Sequence, residues 1–568
     1  MTLPEPAALR PVSTGRYGRM SSFAGARAGR PPHRGKGGRR GSAAVFAAAR
    51  LDGPHSFCIH SPFAFAILSA SLPFAGGLHY PGPVEAEMGY KDLRDFVGAL
   101  ERDGELLWIR EEVDPRLEIT EILDRAVKEG GPAVLFEKVR GHAIPVLGNV
   151  LGTHRRMLKA LGIARYEEVD ERIAAFFDIK QPQGLLDKLR MLPQLAELAS
   201  FLPKTVKSGP CKEVILGKGQ FSLLDLPVCT CWPQDGGPFI TLPMVFTKDR
   251  ASGKRNCGMY RMQVYDEATT GMHWQLHKHG AKHARQALAA GEKIEVAVAI
   301  GSDPATYFSA AMPLPDDIDE MILAGFIRKE PVEMVACETV GLEVPANAEI
   351  VLEGWVDPAE LRREGPFGDH TGYYSLADDY PVFHVECVTR RKEPLYVHTI
   401  VGPPPMEDAF MGYAIERVTL PILKRQLPEV TDLHMPPEGV FHNLVLVSID
   451  KAYPGHARKV MHALWGLGQA MFSKVIVVVD SDVNVQDASE VAWRVLANID
   501  PGRDLELARG PADALEHASQ FFAYGGKLGI DATKKWPGEG FTRDWPDVIA
   551  MDAGVKARMA TLWEKNRK

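Results

Sequence analysis

The sequence predicts an α/β (α+β) protein in three successive parts, and three observations carry this. Helical periodicities alternate with short apolar runs over 88–205, strand-like runs dominate 206–400, and continuous apolar strands alternate with helices over 401–568. A length of 568 residues leaves room for roughly three or four domains of about 150 residues each.

In the first part, Leu93, Phe96, Val97 and Leu100 fall at helical spacing, with Gly104 as the stop. A strand is expected over 105–110, then a helix with Ile119, Ile122, Leu123, Ala126 and Val127 on one face, then a strand over 133–136. The second part carries short runs at 244–247, 258–265, 294–300, 349–354 and 382–389, separated by turns rich in Gly, Pro and Asp. Many short strands with few helices predict a barrel or sandwich. In the third part, apolar strands at 444–449 and 475–479 alternate with helices at about 457–471 and 488–498, the pattern of a covered parallel sheet, and a terminal helix closes the chain.

The first 87 residues differ from the rest. Ten Lys or Arg and the single acid Glu5 fall within 1–50, among Gly, Ala, Pro and Ser. Such a segment is expected to be disordered, an upstream extension with Met88 as the natural start. A transit peptide shares its Arg-rich composition, and the apolar patch at 62–76 resembles a signal region, but Gly and Pro interrupt the first and depth in the chain argues against the second.

A net charge of −7 disfavours a nucleic-acid partner. Seven scattered cysteines are not a disulfide framework and fit a reducing cytoplasm, and Cys229 and Cys231 lack the second pair of a zinc site. No uninterrupted apolar stretch reaches the roughly 18 residues of a membrane span. Walker, dinucleotide-binding, H-E-x-x-H and G-x-S-x-G motifs are missing.

Three segments combine unusual residue types with turn-prone backbone. In 255–263, Met259, Arg261 and Gln263 share a face of the expected strand, and Asn256 sits at its entry where Gly258 frees the backbone. Arg261 inside a compact domain needs a partner, because an unpaired buried charge costs several kcal/mol; a solvent-facing arginine is the plain alternative. In 274–283, His277, His279, His283, Lys278 and Lys282 crowd one span that suits a metal, a phosphate or a solvated basic turn. In 364–372, Glu364 and Asp369 lie five residues apart on a Gly/Pro-shaped loop, so two carboxylates can converge in different environments, as acid/base chemistry requires; a plain acidic turn is the other reading.

At these segments the chain resembles the UbiD family of reversible decarboxylases, which includes polyprenyl-hydroxybenzoate decarboxylase and ferulic acid decarboxylase. The similarity runs from about Tyr90 to the C-terminus through Trp232-Pro233-Gln234-Asp235-Gly236-Gly237, Pro304-Ala305-Thr306, Val344-Pro345-Ala346, Gly455-His456-Ala457 and the stretch from Gly529 to Trp536. The resemblance implies a central split β-barrel that binds prenylated FMN, the electron sink that protein side chains do not offer. It implies metal ligands at Asn256, His279 and Glu320 for Mn2+ or a similar divalent cation, and a potassium ion whose ligands it does not place. Cofactor contacts then fall on Asn256, Cys257, Gly258, Met259, Tyr260, Arg261, Trp274, Gln275, Leu276, Lys278, His279, Gly280 and Glu320.

The family's catalytic trio maps to Arg261, Glu364 and Asp369. Asp369 stands at the proton-donor position, where aspartate resembles the polyprenyl-hydroxybenzoate branch; Glu364 is its relay or orienting partner, and Arg261 holds the carboxylate pair. The implied reaction is decarboxylation of an aromatic acid, foremost 4-hydroxy-3-polyprenylbenzoate on the way to ubiquinone. Another aromatic acid, the reverse carboxylation, or flavin and metal binding without catalysis are the rival readings. Implied partners are a flavin prenyltransferase as cofactor supplier and further copies of the chain, as dimer or hexamer; a polyprenylated substrate adds transient membrane-surface contact.

Overall fold

Leu93, Phe96, Val97, Ala99 and Leu100 bury one side of the helix Leu93–Arg102, and the N-cap Asp92 accepts from the Asp95 N–H. The helix ends ahead of Gly104, whose φ of 72° lies in the left-handed region that glycine adopts freely. The helix Glu118–Lys128 buries Ile119, Leu123 and Val127 as its spacing predicts. This computed structural model describes residues 89–177, 199–314 and 318–567. The extension expected over 1–87, the patch at 62–76 and the start at Met88 lie outside them.

The first sheet runs Leu106–Val113, Ala133–Val139, Val146–Gly148, Tyr396–His398. Its last strand comes from the far end of the central part and pairs parallel to Val146–Gly148, so the chain returns to its first sheet after building the second.

The central sheet has seven strands. Its path is Thr269–Gly271, Asp378–Arg390, Ile350–Glu364, Ile294–Ile300, Met244–Lys248, Arg255–Met259, with Val214–Gly217 also paired to Asp378–Arg390. Every pairing along it is antiparallel. Val296, Ala297, Val298, Ala299 and Ile300 are fully buried, which explains the continuous apolar run of that strand. The helices Pro304–Ala311 and Glu320–Arg328 pack against Arg255–Met259.

One expectation fails here. The strand predicted over 258–265 is two pieces, Arg255–Met259 and Met262–Gln263, broken at Tyr260 and Arg261. Asn256 therefore lies inside a strand, not at its entry. The break has a tertiary cause: the Tyr260 ring folds back over Gly258, where a Cβ would sit 2.5 Å from the phenol, and the Tyr260 hydroxyl accepts from the Gly280 N–H at 3.2 Å.

The third sheet runs Val430–His434, Leu444–Ile449, Val475–Asp480, Tyr524–Asp531, Leu505–Pro511. Its middle strands are parallel, as expected, but both edges are antiparallel. The helix expected over 457–471 stops at His456–Trp465, because Gly466 caps it and Gly468 takes a φ of 47°. The terminal helix Ala553–Arg567 has no buried residue. Among the described residues no helix is long and apolar enough to cross a membrane.

Candidate active site

The loop after Ile350–Glu364 is a short hairpin. Phe367 and Gly368 pair with Ser375 and Tyr374, and the Asp369 N–H donates to the Tyr373 carbonyl at 3.1 Å. The segment 232–237 clamps this loop. The Gly236 N–H donates to the Pro366 carbonyl at 2.8 Å, and a Cβ on Gly236 would meet the Gly365 carbonyl at 2.3 Å. Gln263 bridges both sides: its Oε1 accepts from the Gly365 N–H at 2.7 Å and its Nε2 donates to the Gly236 carbonyl at 2.8 Å. Asp235 accepts from the Cys231, Trp232 and Gly368 N–H groups. The loop is therefore held by backbone and amide bonds, leaving its carboxylates free for Arg261.

Arg261 is the hub. Its Nε donates to Glu364 Oε1 at 3.2 Å, one terminal nitrogen to Asp369 Oδ2, and the other to Ser375 Oγ at 3.0 Å, while the Phe367 ring lies under the guanidinium with its centroid 4.7 Å away. Glu364 is fully buried and has a second neighbour, His273 Nδ1, 2.8 Å from its Oε1. Burial alone would raise the Glu364 carboxyl, but His273 and Arg261 together hold it below its ordinary value. Burial alone would likewise raise Asp369, but Arg261 and then His370 outweigh it and hold that carboxyl well below the carboxylate range. Burial, helped by Arg261, lowers His273, while Glu364 and Asp369 act against that shift.

The second cluster lies on the neighbouring elements. Asn256 Oδ1 is 3.0 Å from His279 Nδ1, and Glu320 Oε2 accepts from the Cys257 N–H at 2.9 Å. Asn256, His279 and Glu320 all line one cavity of about 260 Å³, with Lys254, Arg255, Lys282 and His283 on its walls. Burial pushes the Glu320 carboxyl up to about 7. Among the described residues no three His, Cys, Asp or Glu side chains converge as a metal cluster. The candidate triad supplies two such side chains and an amide oxygen, a donor set that suits a hard or borderline divalent cation.

Both clusters carry buried polar atoms that are not satisfied. Trp274 Nε1, His273 Nε2, Glu364 Oε2 and His370 Nε2 are buried without a hydrogen-bond partner among the described residues. Each such atom costs about 1–3 kcal/mol unless something pairs with it; Glu364 bonds Arg261, His273 bonds Glu364 and His370 bonds Asp369, so their open atoms fit a bound polar group. Tyr260 and Gly280, bonded to each other, link the two clusters. Of the remaining expected contacts, Cys257 is buried in its strand, Met259 and Gln275 are half-buried, and Leu276 is 47% exposed. Lys278 turns to the third part of the chain, donating to Gln469 Oε1 at 2.8 Å.

The sequence reading missed His273, Ser375 and Phe367 as Arg261-site residues. His273 adjoins Trp274, but its partner Glu364 is 91 positions away, a pairing only the fold reveals.

Residues 97–176, 204–404 and 409–532 match the N-terminal, Rift-related and C-terminal domains of 3-octaprenyl-4-hydroxybenzoate carboxy-lyase. The chain belongs to the UbiD family. An uncharacterized protein of Archaeoglobus fulgidus is 52% identical over 482 residues, covering 84% of this chain and 99% of that protein. The vanillic acid decarboxylase of Sedimentibacter hydroxybenzoicus in its closed form superposes with a TM-score of 0.76 at 27% identity, over 84% of this chain and 99% of that one. The UbiD-class enzyme HmfF of Pelotomaculum thermopropionicum, in complex with FMN, superposes with a TM-score of 0.67 at 31% identity, over 83% and 99%. Like its UbiD relatives the protein is a carboxy-lyase, with a mixed α/β fold.

Proposed function

We propose that this UbiD-family chain decarboxylates a hydroxylated aromatic acid with prenylated FMN, and that its substrate is 4-hydroxy-3-polyprenylbenzoate, converted to 2-polyprenylphenol for ubiquinone. The observation that carries decarboxylation is the Arg261 guanidinium held between Glu364 and Asp369, beside buried polar atoms without partners among the described residues. The family description and the aspartate at 369 support the substrate. HmfF structures with FMN and with prFMN support the cofactor.

When bound, prenylated FMN supplies the electron sink for the carbon that loses carbon dioxide. Asn256, His279 and Glu320 would hold a divalent cation such as manganese at its phosphate, and Lys254, Arg255 and Lys282 add positive charge in the same cavity. No residue is assigned to a potassium ion. Arg261 fixes both carboxylates, Asp369 delivers a proton to the vacated ring carbon, and Glu364, steadied by His273, keeps Arg261 in place.

A second reading is a smaller acid, favoured by the superposition on a vanillic acid decarboxylase. Co-expression with a flavin prenyltransferase, mass spectrometry of the released cofactor and assay against prenylated and unprenylated hydroxybenzoates test both. Turnover of only the unprenylated acids overturns the polyprenyl substrate. Purified protein with no flavin and no turnover overturns the cofactor and the reaction together, leaving a binding protein.

The exposed terminal helix Ala553–Arg567 supports a homo-oligomer, since its apolar side chains find no cover among the described residues.

A further inference from the structure

We propose that His370 holds the proton that Asp369 passes to the substrate carbon, so that the acid of the reaction is the Asp369–His370 pair. This rests on the reading of Asp369 as the proton donor and adds what that reading lacks, a source for the proton.

Asp369 as it stands has no proton to give. Its Oδ2 is taken by the Arg261 guanidinium, and its Oδ1 accepts the His370 backbone N–H at 2.8 Å and faces His370 Nδ1 at 3.0 Å. A guanidinium does not release protons at any working pH. Among the described residues, His370 Nδ1 is then the one titratable donor bonded to Asp369.

The surroundings of the His370 ring favour its charged form. Facing it are Asp369 on its own loop, Asp408 in the first turn of the helix Glu407–Gln426, and His442 and Asp513 from the third part of the chain. Burial works against the imidazolium, but Asp369 foremost, then Asp408 and Asp513, outweigh it and raise the group; burial pushes Asp408 itself up to about 7, so its share of the attraction grows only above that pH. His442, with its ring centroid 5.9 Å away, is pushed down to about 4, chiefly by burial, and stays neutral, so it does not compete for the charge. The Phe441 ring, 5.7 Å away, helps close this side from solvent. His370 Nε2 is buried without a partner among the described residues.

The step balances without a further reactant. The bond from the ring carbon to the carboxylate breaks and its electron pair stays with the carbon; the proton on His370 Nδ1 moves to Asp369 Oδ1; Asp369 passes a proton to that carbon, forming the C–H bond. His370 is left neutral and takes a proton from solvent before the next turnover. Because the raised group is a base, its charged form is present below its shifted pKa and lost as pH rises through it, so turnover falls on the basic side.

The test compares His370→Gln, Asp369→Asn and wild type as flavin-loaded full-length enzyme. The glutamine keeps a hydrogen bond to Asp369 but cannot carry the proton. The expected result is a kcat about 10²-fold lower with little change in KM, retained flavin absorbance, loss of the basic limb of the pH profile and a larger solvent deuterium isotope effect. Wild-type kcat and pH profile in His370→Gln overturn the pair while leaving Asp369 as donor. Activity in Asp369→Asn overturns the donor reading beneath it. Should His370→Gln fail to fold or to hold flavin, nitrogen NMR of labelled histidine in the wild-type holoenzyme decides: an imidazolium at neutral pH that titrates with the basic limb is expected, and a neutral His370 there overturns the proposal.

Discussion

His273 Nδ1 lies 2.8 Å from Glu364 Oε1, the same oxygen that accepts from Arg261 Nε at 3.2 Å. One carboxylate oxygen thus joins an imidazole to a permanent cation inside the protein, while Glu364 Oε2 has no partner among the described residues. Asp369, by contrast, has both oxygens engaged, Oδ2 by Arg261 and Oδ1 by His370.

Glu364→Gln should abolish decarboxylation while flavin stays bound, because the cation–carboxylate bond that orients Arg261 is lost. It should also destabilise the fold by about 3 kcal/mol or more, since breaking a buried pair leaves the other charge uncompensated. Turnover and flavin absorbance measure the first effect and denaturant unfolding the second. Full activity in this variant contradicts the assignment of the trio.

The same pairing sets an acid limit on stability. Glu364 and Asp369 both have depressed pKa values in the folded state. A depressed acid contributes stability that is complete above its unfolded value, about 4, and that is lost as pH falls through the lower folded value. Wild type should therefore lose stability steeply below about pH 4. The double variant Glu364→Gln, Asp369→Asn should show a shallower dependence in unfolding measured across that range. Parallel profiles contradict the linkage.

A Cβ placed on Gly271 would meet Glu364 Oε2 at 2.7 Å and the Tyr265 hydroxyl at 2.9 Å. Gly271→Ala should push Glu364 off its line to Arg261, and a displacement near 1 Å lowers kcat by about 10²-fold. Flavin content should not change, because the Asn256–His279–Glu320 cavity lies on other elements. Loss of flavin along with activity contradicts this separation.

Much of this fold was legible where burial alone decides the pattern. The runs 294–300 and 444–449 and the helix 488–498 form with the bounds their apolar spacing predicts. The reading failed where a distant bond overrides local preference: Tyr260 reaches Gly280 and breaks a strand that residues 258–265 predict by themselves. In the site, Glu364 and Asp369 stood out because Gly365, Pro366 and Gly368 shape one short loop around them. His273 and Ser375 did not, since each becomes a neighbour of the trio only through strand register. Lys278 is basic and next to His279, so sequence alone directs it toward a phosphate; the fold gives its amine to Gln469 instead.

That difference separates two neighbours. His279→Ala should cost the protein its metal and weaken flavin retention by about tenfold or more, because second partners of a metal site alone are worth that much. Lys278→Ala should leave flavin bound. Metal analysis and flavin absorbance after gel filtration read both, and flavin loss in Lys278→Ala with retention in His279→Ala reverses the assignment.

The terminal helix Ala553–Arg567 is 15 residues long, and Met559, Leu562 and Trp563 are 46%, 52% and 67% exposed. These three fall at i, i+3 and i+4, on one face. An isolated helix of about 12–15 residues is marginal in water, and in the proposed homo-oligomer a second copy of the chain would cover this face with its own under twofold symmetry. Leu562→Glu combined with Trp563→Glu should lower the mass seen by light scattering toward that of one chain, with turnover per flavin-loaded site retained, because neither residue belongs to the site. A wild type that is already a monomer at micromolar concentration contradicts the homo-oligomer, and an unchanged mass in the double variant removes this helix from its interface.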